Sequence, residues 1–92
     1  MSIPTSPSPS DEQVLEAIRD ELARIKVPDG DKAGLDTEWR DLDVDSLDLV
    51  ELVTALEDRF GVKIADGELK AITGVGDAVR VVQRLSVAGA PA

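Results

Sequence analysis

The apolar register between Asp45 and Gly61 constrains the fold of this 92-residue chain more than any other feature. At about 100° per residue, Leu49, Leu52, Val53, Leu56 and Phe60 gather on one side of a helix, which must face a core. Leu47, Glu51, Thr54 and Asp58 fall on the opposite side, with Val50 near them. Asp45 is a good N-cap, with Asp48 at the third helical position. Gly61 supplies a left-handed stop. The spacing predicts a helix over 46–60 that presents a solvent-facing leucine, Leu47, at the head of an acidic stripe.

The flanking segments are helical by the same test. Ser10 reads as an N-cap, with Gln13 completing a capping box, and Asp11 and Glu12 sit at the positive end of the dipole. Val14, Ile18, Leu22 and Ile25 keep helical spacing, and Val27-Pro28 is expected to stop that helix. Residues 29–44 show no period and read as a long loop, with Leu35, Trp39, Leu42 and Val44 as its anchors to the core. Val62-Lys63-Ile64 is too short for a strand. Asp66 is expected to cap a short helix over 67–72, and Thr73 to cap the last one. The inner face of that last helix would be Val75, Ala78, Val79, Val82 and Leu85, with Arg80, Gln83 and Arg84 outside. Residues 1–10, rich in Pro and Ser, are expected to be disordered, and 88–92 to fray. One domain over 11–87 remains.

Charge and residue usage narrow the function. A formal net charge of −9 argues against nucleic-acid binding and favours steering toward basic proteins. There is no apolar run long enough to span a membrane. Neither histidine nor cysteine occurs, so zinc chemistry, disulfides and a His-activated serine are excluded. A catalyst is not expected. An intracellular, cytoplasmic location fits the absent cysteine.

Ser46 draws attention instead. It lies where the loop meets the helix, inside a stretch from Asp41 to Asp58 with seven carboxylates and no basic residue. A helix N-terminus favours an anionic group on the serine oxygen, so Ser46 reads as an attachment point and the acids as an address for basic partners. A plain capping serine on a solvated acidic face is the alternative. So is a divalent-cation loop: Asp41, Asp43 and Asp45 match the first three ligand positions of an EF-hand. Ser46 then stands where glycine is needed and Leu52 where a bidentate glutamate is needed, with Glu51 one residue early. No specific metal site is expected.

The stretch Asp41-Leu42-Asp43-Val44-Asp45-Ser46-Leu47-Asp48-Leu49-Val50-Glu51-Leu52 closely resembles the carrier motif of acyl carrier proteins. The likeness continues through Ala55 to Ile64 and reaches Ile72-Thr73-Gly74-Val75-Gly76-Asp77-Ala78, covering most of residues 11–87. It departs at Asp43, where the family often has glycine, and at Trp39, one residue from the family's loop aromatic. The resemblance implies an all-α, four-helix bundle of three longer helices and a short third one. It implies that Ser46, flanked by Asp45 and Leu47, accepts 4′-phosphopantetheine from coenzyme A through a phosphopantetheinyl transferase and Mg²⁺. The imported thiol would carry acyl groups in fatty-acid or type II polyketide assembly. Leu47, Asp48, Val50, Glu51, Thr54, Glu57 and Asp58 would meet basic patches on ketosynthases, acyltransferases, reductases and dehydratases. Leu52, Val53, Leu56, Phe60, Ile64, Leu69, Ile72 and Ala78 match positions where such carriers tuck acyl chains. The carrier would be a free-standing monomer. A D-alanyl or aminoacyl carrier shares the bundle and stays open, as does an unmodified acidic module that binds a basic partner.

Overall fold

A computed structural model describes residues 9–88. Among them four α-helices form and no strand: α1 (Asp11–Arg24), α2 (Ser46–Phe60), α3 (Asp66–Ala71) and α4 (Val75–Ala88). The all-α expectation holds. Of the segments expected to be disordered (1–10) or frayed (88–92), residues 1–8 and 89–92 lie outside the described residues, whereas Pro9 and Ser10 are held at the start of α1 and Ala88 ends α4.

The three longer helices pack on one another, while α3 stands outside that mutual packing. Val14, Ile18 and Leu22 of α1, Leu52 and Leu56 of α2, and Val75, Val79 and Val82 of α4 are almost wholly buried in one core. The helical faces read from the sequence are therefore the faces that pack. Ser10 and Gln13 close the expected capping box on α1. Gln83 of α4 reaches back across the bundle, donating to the Pro9 carbonyl at 3.1 Å and to Asp11 at 2.6 Å.

Both long helices before α3 end by backbone devices. Gly61 follows α2 with φ of 66°, and Val62 N–H bonds the Glu57 carbonyl. Glycine carries no Cβ penalty there. α1 stops earlier than Pro28 requires. Lys26 takes the left-handed position, φ 65°, its amide bonding Ala23 and the Val27 amide bonding Leu22. This is a Schellman motif with lysine in glycine's usual place, and buried Val27 secures it against the core.

Three further expectations need correction. The 29–44 loop contains two 3₁₀ turns, Gly30–Lys32 and Trp39–Leu42, which hydrophobic period cannot show because each lasts about one turn. Trp39 anchors it as expected and Leu42 and Val44 are half-buried, but Leu35 is 43% exposed. α3 begins at Asp66 itself, with Ala65 at the cap and no side-chain capping bond. Thr73 does not cap α4 by accepting. Its amide and hydroxyl instead donate to the Asp77 carboxylate, at 3.0 and 2.9 Å.

Candidate functional site

The turn before α2 aims Ser46 outward. Asp43 adopts φ 56°, a left-handed conformation that aspartate tolerates better than most residues. The Val44 amide then bonds the Trp39 carbonyl at 3.0 Å, closing the turn. Asp45 is extended and caps α2, its carboxylate accepting the Asp48 amide at 2.9 Å. Ser46 is thus the first helical residue and is exposed. Among the described residues nothing hydrogen-bonds its hydroxyl. The oxygen lies at the positive end of a 15-residue helix. That arrangement suits a phosphoryl ester: an accessible hydroxyl, room on the solvent side, and a dipole favouring negative charge. It does not suit self-activation, since the chain contains no imidazole.

Beyond Ser46, α2 shows the expected outward stripe. Leu47 is 75% exposed and Val50 49%, and Glu51, Thr54 and Asp58 are exposed beside them. Asp48 and Glu57 are half-buried. The Glu57 carboxylate accepts the Ile64 amide at 2.7 Å and ties the α2–α3 connection to α2. One basic residue joins this face that sequence alone did not assign to it. Arg24, from the end of α1, lines a groove with Val50, Glu51, Thr54, Ala55 and Asp58. Its pKa is raised, first by its hydrogen bond to Glu21 and least by the charge of Glu51. Chain order hides this neighbour, since α1 and α2 meet only in the folded bundle.

The eight residues matched to acyl-chain positions come together. Leu52, Val53, Leu56, Ile64, Ile72 and Ala78 are buried in the core, and Phe60 and Leu69 pack half-buried against it. Among the described residues no group of three or more Asp or Glu is arranged to hold a metal ion. Nor, among the described residues, is any helix long and apolar enough to cross a membrane.

The family described as the phosphopantetheine attachment site matches residues 12–82. An acyl carrier protein of Lactobacillus acidophilus is 41% identical over 75 residues, 80% of this chain and 94% of that protein. One from Rhodococcus erythropolis is 46% identical over 52 residues, 56% of this chain and 57% of its own length. One from Acidothermus cellulolyticus is 53% identical over 47 residues, 51% of this chain and 56% of its own.

Proposed function

The chain belongs to the acyl carrier protein family, whose domain is the phosphopantetheine attachment site, and from that premise we propose that Ser46 is the attachment residue of a non-catalytic shuttle. The observation that carries the proposal is the exposed Ser46 hydroxyl at the head of α2, beside an outward leucine and an acidic face. In the loading step the Ser46 oxygen bonds to the phosphorus that bears the pantetheine of coenzyme A. Adenosine 3′,5′-bisphosphate leaves with the other half of the broken pyrophosphate bond, and the serine proton passes to a base on the transferase. The bound group supplies a thiol that holds acyl chains as thioesters, chemistry that a chain without cysteine lacks.

This chain's own residues do the rest. Asp45 fixes the helix start. Leu47 and Val50 give apolar contacts, and Glu51, Thr54 and Asp58, with Asp48 and Glu57 behind them, give the charge that basic enzyme patches meet. Electrostatic complementarity raises on-rate more than affinity, which suits a carrier that must leave each partner. The core residues Leu52, Leu56, Phe60, Ile64 and Leu69 would line any shelter for the acyl chain. Fatty-acid synthesis is one pathway open to such a carrier, with ketosynthases, acyltransferases, reductases and dehydratases as partners. Type II polyketide assembly uses the same parts. The carrier acts as a cytoplasmic monomer in this reading.

Intact mass spectrometry tests it. With coenzyme A, Mg²⁺ and a promiscuous phosphopantetheinyl transferase, the protein should gain one phosphopantetheine, and Ser46→Ala should gain nothing. Leu47→Ala should be modified about ten-fold more slowly or less, with melting temperature unchanged, as an exposed apolar contact to a partner predicts. No mass gain by the parent protein overturns the proposal.

A further inference from the structure

Trp39 stands at a junction between two segments far apart in sequence. Its indole N–H donates to the Ile72 carbonyl at 3.1 Å, a buried bond across 33 residues. Its backbone amide donates to the Thr73 carbonyl at 3.1 Å, and the Val75 amide donates back to Thr37 at 2.8 Å. Glu38 and Gly74 form an antiparallel bridge between these bonds. The strand-like strap joining α3 to α4 is therefore stitched to the loop before α2. On its other side, the Trp39 carbonyl accepts the Val44 amide, two residues before Ser46. The contact is close: a Cβ added at Gly74 would meet the Thr37 carbonyl oxygen at 2.8 Å and Glu38 Cα at 3.2 Å.

We infer that Trp39 is a positioning residue for modification at Ser46: it ties the serine's turn to the α3–α4 strap, so that the unmodified protein already holds the hydroxyl in the shape a transferase binds. The inference rests on Ser46 being the attachment residue. Its physical basis is conformational. The loop over 29–44 holds two left-handed residues, Asp29 and Asp43, and its last stretch is joined to the strap through the indole and backbone amide of Trp39. Free of the strap, the turn would sample other shapes, and only the competent fraction would bind. Apparent affinity falls by that fraction, while a bound complex reacts as before. Loss of the tether should thus raise KM for the unmodified carrier and spare kcat.

Two variants attack the tether from opposite sides. Trp39→Phe keeps a ring and removes the indole N–H. Gly74→Ala wedges the strap away without touching the indole. Both should raise KM about three-fold or more with kcat within about two-fold, measured at a temperature where circular dichroism shows each folded. Val79→Ala, weakened through the core alone, should leave KM unchanged. Unchanged KM in both tether variants overturns the inference while leaving Ser46's role intact, whereas a parent protein that takes no arm removes that role first. Should either variant fail to fold, amide exchange of the parent decides. The Trp39, Val44 and Val75 amides should open together, and a Val44 amide that exchanges independently of the other two overturns the tether.

Discussion

Asp77 shows how a single carboxylate fixes a helix start. It lies in the first turn of α4 and accepts from the Thr73 amide and hydroxyl, with Arg80 donating to it at 2.5 Å. The Thr73 amide bond is the main reason its pKa lies below the usual carboxylate range; the hydroxyl and Arg80 add to it. A carboxylate held below its unfolded value stabilises the fold above that value, and the gain fades as pH falls through the lower, folded one. Asp77→Asn should therefore melt below the parent protein at pH 7, and the gap should narrow once pH drops below about 4, near the unfolded carboxylate value. Thermal melts at pH 7, 5 and 3.5 check this; a gap that stays constant would assign the effect to shape alone. The sequence showed Thr73 as a cap because threonine before an apolar helix usually accepts. It hid the reversal, because which of two polar neighbours accepts depends on backbone angles. Trp39 is similar. Its burial was legible from ring size, while its partner Ile72 was not, since nothing local links residues so far apart. The place of Ser46, by contrast, exposed at the first turn of α2, was legible: loop, cap and apolar register all converge on it.

Among the elements, α3 has the least to hold it. It spans six residues, has no fully buried residue and lacks a side-chain cap. Leu69 packs half-buried, and Glu68 is gripped by both of its oxygens from Arg84 on α4, at 2.6 Å. That pair is more than half exposed on the arginine side and contributes little against solvent screening. An isolated helix this short is unstable in water, so α3 persists through these few contacts. Hydrogen exchange should show the α3 amides opening well before those of α1, α2 and α4. Arg84→Gln should speed α3 exchange while leaving α1 unchanged. Equal protection across all four helices would contradict the packing argument. Helix boundaries divide the same way as the residues. α1 and α2 were readable because each carries a long apolar stripe. The start of α3 and the two 3₁₀ turns were not, because one turn of chain is too short to establish a period. The end of α1 misled for another reason: Lys26 adopts a conformation for which composition gives no sign.

At the scale of the whole molecule, charge sets stability and recognition together. The net charge is −9, and the seven carboxylates from Asp41 to Asp58 have no basic residue among them. Folding draws them onto one helix and its approach, where they repel. Arg24 alongside Glu51 and Arg59, 3.8 Å from Asp20, relieve only the edges of this field. Screening should therefore favour the folded form. Melting temperature should rise with NaCl from about 10 mM to about 300 mM, most steeply below about 100 mM, where the Debye length shrinks toward about 10 Å. The rise should be smaller in Glu51→Gln/Asp58→Asn, because the repulsion it relieves is smaller. The same double variant should slow modification by a basic transferase, and added salt should slow the parent protein's reaction even as it stabilises the fold. Opposite salt trends in the parent, both reduced in the double variant, are what a single charge field predicts. A melting temperature indifferent to salt, with modification still salt-sensitive, would separate the two and confine the field's role to docking.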